Sequence, residues 1–218
     1  MKIAESISEK VAFHRQRSHR IEGLADGVFA IAMTLLVLDI HIPLGEINTE
    51  HDIWRSLIHL FPQILTFIIA FTFAGQFWIS FINQFNYLQT ADRNENVIAV
   101  FYLLFISMLP FSAAFMSRHL WSRVAVGCFL LNIQLISIML AIHWLYSYRN
   151  GLVKVDGNQE VAIHKAVMSR ARIALTSLGI VTVFCFFNSY LALGGIIFIQ
   201  IMFTSIGFID MLKKKKGN

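Results

Sequence analysis

Asp26, a carboxylate set in the apolar run RIEGLADGVFAIAMTLLVLDI, is the side chain here with the clearest capacity for chemistry. An ionisable group inside a membrane span costs ~2.5–3.5 kcal/mol on insertion scales, so it faces protein or water and marks an ion path or a buried polar network. Arg20 lies six residues earlier and therefore points about 120° away around a helix of 3.6 residues per turn. The two are not expected to pair, and partners for Asp26 are sought at similar depth on other helices, at Asn83, Gln84 and His143. With eight histidines in the chain, Asp26 could relay protons; a structural hydrogen-bond hub is the alternative.

Two columns run along the same helix. Gly23, Gly27, Ala30 and Thr34 are spaced by four, three and four residues and share one face. Small residues there let two helix backbones approach closely, which is how membrane helices associate without a hydrophobic driving force. Ile31, Leu35 and Leu38 form a second, aliphatic column at i, i+4 and i+7. On periodicity alone that column is ordinary packing or lipid contact.

Other chemistries find little support. Hydrolysis within a membrane needs a Ser and His pair, an Asp pair or an H-E-x-x-H zinc site. Asp26 and Asp39 fall near opposite membrane faces, and no two histidines have ligand spacing, so no catalytic residue and no metal site is expected. His14 and His19 belong to a solvated segment, while His41, His59, His119 and His143 sit near span ends, where one could tune gating by pH. Cys128 and Cys185 lie inside apolar runs and read as small core or lipid-facing residues.

The elements that position these residues are set by composition. Of 218 residues, 56% are hydrophobic and 14% charged, and the mean hydropathy is +0.63. A water-soluble domain of this composition would expose a large apolar surface, so the lipid bilayer is the expected solvent. Spans of ~20 apolar residues fit at 20–41, 55–87, 96–116, 121–148, 169–188 and 191–212. The second is about 33 residues long, or ~50 Å, and must extend beyond a ~30 Å hydrocarbon core. The connection YRNGLVKVDGNQEVAIHKAVMSR is too short to be a domain. The first twenty residues lack the continuous apolar stretch of a cleavable signal, so the first span is expected to double as the targeting signal.

Lys and Arg set the orientation. Fifteen of the 18 fall on one side of these spans; only Arg55, Arg118 and Arg123 fall on the other. The positive-inside rule then puts both termini in the cytoplasm, which requires an even number of spans. Trp54 and Trp121 are expected near the outer interface and Trp144 near the inner one, and Lys213 to Lys216 read as an anchor on anionic lipid and not a nucleic-acid patch. The chain thus divides into a cytoplasmic segment 1–19, a six-helix membrane domain 20–212 and a basic tail 213–218.

The first helix resembles the signature of the transmembrane protein 175 family, potassium channels of endosomes and lysosomes with prokaryotic relatives. The family motif is Arg, three residues, then Phe-Ser-Asp. Here Arg20 is followed three residues on by Leu24, Ala25 and Asp26, so Leu24 and Ala25 replace the Phe and Ser. HLFPQILTFIIAFTFAGQFW, with Trp78, and FYLLFISMLPFSAAF, with Pro110 and Phe111, resemble the second and third helices. The likeness covers roughly 20 to 116.

That resemblance implies an all-α fold, with six transmembrane helices per chain and a homotetramer whose first helices line a central pore. By the same resemblance Ile31, Leu35 and Leu38 become a hydrophobic constriction, and Thr34 a selectivity candidate. Arg20, Leu24, Ala25 and Asp26 occupy the motif network, and Gly23, Gly27 and Ala30 serve helix packing. The resemblance further implies a K+ channel of modest K+ over Na+ selectivity without a carbonyl filter, in the plasma membrane of a prokaryote. It needs no cofactor; Na+, Cs+, Rb+ and H+ are further permeant candidates, and its partners are its own copies and membrane lipids. The competing function is a proton- or ion-coupled transporter using Asp26.

Overall fold

The computed structural model describes residues 2–41, 49–88, 92–153 and 157–216, with side chains over 20–41, 49–88, 92–153 and 159–205. The polar segment 1–19, with His14 and His19, and the basic tail 213–218 therefore lie outside the described side chains. All named elements are helices: α1 Lys2–Leu38, α2 Glu50–Phe85, α3 Arg93–Ser107, α4 Leu109–Arg118, α5 Arg123–Arg149, α6 Gly157–Phe187 and α7 Ser189–Lys216. This is an all-α membrane protein of six helical segments, because α3 and α4 form one continuous apolar stretch from Arg93 to Arg118. Five segments are long and apolar enough to span a bilayer, and the sixth, α7, is apolar over Ser189–Ser205.

Local chemistry explains where these helices begin and end. Thr49 caps α2 through a capping box with Asp52, satisfying two of the four N–H groups a helix start leaves open. At α3 the cap is Asp92, whose carboxylate accepts the Glu95 N–H at 2.7 Å. Pro110 cannot donate a backbone hydrogen bond, and the helix re-forms about Met108 as α4 with the proline in its first turn. The expected span 96–116 is unbroken and lacks this joint. Gly151, at φ +64, closes α5: its N–H donates to Tyr148 and that of Leu152 to Ser147, a left-handed exit that favours glycine.

Two helices begin well before the expected spans, α1 at Lys2 instead of 20 and α6 at Gly157 instead of 169. QEVAIHKAVMSR is rich in good helix formers, and its charges bar it from lipid without barring it from a helix. Trp144 also differs from the expected interfacial ring. It is fully buried, its indole N–H donating to His164 Nδ1 at 3.3 Å, whereas Trp54 and Trp121 are exposed.

The buried core cluster draws on every helix. Phe29, Phe73, Phe81, Tyr102, Phe129 and Ile133 are buried there. Helix α1 rests on α2, α3 and α4, while α6 and α7 pack on each other and on α5. A Cβ built at Gly195 of α7 would stand 2.7 Å from Val181 Cγ2 of α6, so glycine permits that close approach. Two turns meet at one end, where Leu88 and Val153 form a β-bridge; we call this the Asp92 end and the other the Asp39 end.

The exposed face of the first helix as a candidate pore lining

Within the protomer α1 has two unlike faces. Ala25, Phe29, Ala32 and Leu36 are buried at i, i+4, i+7 and i+11, an inward stripe at helical spacing. On the other side Ile31, Leu35 and Leu38 are 61%, 44% and 66% exposed, and Gly23, Gly27, Ala30 and Thr34 are exposed beside them. A Cβ added at Gly23 or Gly27 meets nothing within 4 Å. The small column therefore seats no other helix among the described residues of the same chain. Thr34 donates its hydroxyl hydrogen back to the helix, with Oγ1 3.0 Å from the Ala30 carbonyl and 2.9 Å from that of Ile31. Its oxygen lone pairs are left facing outward, free to accept a hydrogen bond or to meet a cation.

Asp26 does not find the partners expected for it. Its Oδ1 accepts the indole N–H of Trp78 at 2.9 Å. Helices α1 and α2 run antiparallel, so six residues into α1 from Arg20 corresponds to seven residues back along α2 from Phe85, the level of Trp78. Asn83 is exposed nearer the Asp92 end, and Arg20, Leu24 and Asp26 are exposed while Ala25 is buried. Gln84 and His143 are in contact with each other at 2.9 Å, not with Asp26. Replacing Trp78 by Phe is expected to lower thermal stability by about 1 kcal/mol, the net worth of one such hydrogen bond. Asp26→Asn added to it should cost little more, and full additivity of the two in thermal denaturation would contradict the contact.

Two clusters escaped sequence reasoning. At the Asp39 end, Asp39 accepts the Ser117 hydroxyl at 2.6 Å and an Arg118 N–H at 3.2 Å, which ties the end of α1 to α4. Arg118 is largely exposed, so the ion pair contributes little on its own. At the Asp92 end, Glu95 pairs with His143 at 2.7 Å, both fully buried. Nothing in DRNEN distinguishes Glu95 from a solvated turn residue, and only its partner 48 positions away reveals it.

Comparison with known proteins finds relatives in sequence and in fold. Residues 20–110 match the family model for the endosomal/lysosomal potassium channel TMEM175. A protein of Streptomyces collinus named a potassium channel is 28% identical over 166 residues, spanning 74% of this chain and 78% of the relative. A potassium channel of Chamaesiphon minutus is 33% identical over 118 residues, 50% of this chain and 56% of that one. The crystal structure of a lysosomal potassium-selective channel TMEM175 homolog from Chamaesiphon minutus superposes with a TM-score of 0.76 at 25% identity, covering 87% of this chain and 97% of that one. In signature helix, in relatives and in fold, the chain is similar to the family of the endosomal/lysosomal potassium channel TMEM175.

Proposed function

We propose that this protein is a potassium channel in which copies of the chain, four by resemblance to the family, surround an axis lined by α1. The observation that carries the reading is the division of α1 into a buried stripe and an opposite face left open by the rest of the protomer. That exposed face holds Ile31, Leu35 and Leu38, and relatives and a solved structure of the same fold are named potassium channels.

In such an assembly the three aliphatic side chains form stacked rings. An ion crossing them loses hydration and gains no ligand, so the rings gate by excluding water. Sodium holds its water more tightly than potassium and meets the larger barrier, which gives modest K+ over Na+ selectivity without a carbonyl filter. Thr34, its hydrogen already donated inward, adds a ring of oxygen lone pairs beside the rings. Gly23, Gly27 and Ala30 let neighbouring α1 helices approach towards the Asp92 end, and Asp26, held by Trp78, keeps a carboxylate near that entrance. Cs+, Rb+ and H+ are further permeant candidates. We place the protein in a prokaryotic plasma membrane with both termini in the cytoplasm, so the Asp92 end is the inner one.

The test is a flux assay on purified protein in liposomes with imposed K+ or Na+ gradients. A conductance far above carrier rates is expected, with K+ favoured; saturating carrier-like exchange dependent on Asp26 would favour the transporter reading instead. Thr34→Ala should lower the K+ to Na+ permeability ratio by about twofold to fivefold, the effect of losing ~0.4–1 kcal/mol of differential stabilisation. An unchanged reversal potential under bi-ionic conditions would remove Thr34 from any part in selectivity.

A further inference from the structure

Behind α1, at the Asp92 end, α2, α3 and α5 meet on three buried polar side chains. His143 and Glu95 are both fully buried and Gln84 nearly so. The Gln84 amide N–H donates to the Leu140 carbonyl at 3.3 Å, which leaves its oxygen facing His143 Nδ1 at 2.9 Å. Nδ1 therefore carries a hydrogen. On the other side of the ring, Nε2 stands 2.7 Å from Glu95 Oε1, a separation at which two lone pairs repel and a proton must lie between them. Imidazolium with carboxylate and imidazole with carboxylic acid both satisfy this, and both are neutral overall.

The surroundings make that proton count consequential. Phe81 and Phe85 flank the imidazole at 5.4 and 5.3 Å. Glu95 Oε2 is buried with no hydrogen-bond partner, so it could receive a second proton, but the site would then hold a net positive charge among aromatic rings. Loss of the single proton leaves a net negative charge instead. Each change puts an uncompensated charge beside packed aromatic rings.

Packed rings join the site to the pore helix. Phe81 stacks on Tyr102 at 4.9 Å and 12°, and Tyr102 meets Phe29 of α1 at 6.1 Å, two positions before Ile31. Tyr102 is itself pinned by its hydroxyl to the Phe77 carbonyl. Charged and titratable groups ring the site from each neighbouring element. On α3 and α5 these are Asp92, which accepts the Tyr146 hydroxyl at 2.6 Å, and Arg93; α6 adds His164 beneath Trp144, and α1 brings Arg20 and Glu22 to the same end.

We infer that Glu95 and His143 together form a buried proton-binding site of the carboxylate–imidazole class, and that a change in its proton count alters conductance through Phe81, Tyr102 and Phe29. The effect on current rests on the channel reading; the binding of the proton does not. The experiment uses the full protein, with 15N-labelled histidine, in lipid nanodiscs, and Glu95→Gln beside it. A glutamine at 95 can still donate to Nε2 but cannot gain or lose a proton as a carboxyl group does.

Over about pH 4 to about pH 9, which brackets the ordinary range of free carboxylates and imidazoles, one imidazole should show a protonated Nδ1 with a proton shared at Nε2 at high pH, and should pass to a full imidazolium at low pH as Glu95 Oε2 takes up the second proton. In Glu95→Gln the same ring should become a plain acceptor at Nε2, and assignment is checked with His143→Gln. Currents in planar bilayers should change several-fold as the pH on the Asp92 side falls, and Glu95→Gln should flatten that response. An imidazole spectrum indifferent to Glu95→Gln overturns the site. A shared proton in the spectrum with an unaltered pH response of the current in Glu95→Gln overturns the coupling. If native protein passes no current, the channel reading fails, while the imidazole spectra still decide whether the proton site exists.

Discussion

A chain carrying Ile31→Ala and Leu35→Ala should pass potassium about tenfold faster than the native chain and discriminate far less against sodium. Each substitution deletes a ring of aliphatic groups, so the narrowest part of the path widens and admits water. Lowering the dehydration barrier by only ~1.4 kcal/mol gives that tenfold gain, and sodium, with the larger barrier, gains more than potassium. Ile31 and Leu35 are exposed within the protomer, so truncating them leaves its core intact and the expressed protein should be as stable as the native one. The matched control is Ile180→Ala on α6, whose side chain is equally exposed but faces outward in the proposed assembly. Bilayer recordings under bi-ionic conditions should show no change for Ile180→Ala; equal effects from both faces would point to a general disturbance of lipid packing and not to a constriction.

The second large effect is on stability. His143→Ala removes one member of the fully buried pair with Glu95 and leaves the carboxyl facing Phe81 and Phe85 with nothing to bond. Breaking such a pair from one side should cost about 2–4 kcal/mol, read as a lowered denaturation temperature or loss of monodisperse protein in detergent. Combining His143→Phe with Glu95→Leu removes both polar groups and fills the space, and should recover much of that loss, because an apolar replacement of the whole pair leaves no orphan. Losses from the two single changes that simply add in the double change would mean that Glu95 and His143 are not energetically linked.

The all-helical membrane architecture is legible in the sequence because bilayer thickness acts on whole segments. Five of the six expected spans overlie the apolar stretches of observed helices within a few residues; α1 and α6 themselves begin earlier, at Lys2 and Gly157, because a charged stretch can be helical without entering lipid. The faces of α1 are legible for a similar reason, since apolar and small residues repeat at helical spacing along a single element. Side-chain partners are not. Seeking them for Asp26 at Asn83, Gln84 and His143 treats depth as the only variable and considers amides and imidazole alone. Antiparallel register places Trp78 at that level, and the indole has one N–H to give. Glu95 escapes for the converse reason: its importance lies in what α5 brings to it, and no local pattern encodes a contact across 48 residues.

Gly23 and Gly27 show the same limit. Spacing identifies a face suited to close approach, yet no described helix of the same chain uses it. Whether a face meets lipid, solvent or another copy is a property of the assembly, which one chain's periodicity does not specify.

Oxidative cross-linking of Ile31→Cys tests that assembly most directly. It is done in liposomes on a chain with Cys128→Ala and Cys185→Ala, so that the introduced thiol is the only one. Thiols from neighbouring copies should meet near the axis and give covalent dimers, while Ile180→Cys on the lipid-facing side of α6 stays monomeric. Monomeric Ile31→Cys under conditions that link a known contact between copies would show that the aliphatic face of α1 does not surround an axis, and would contradict a pore lined by this helix.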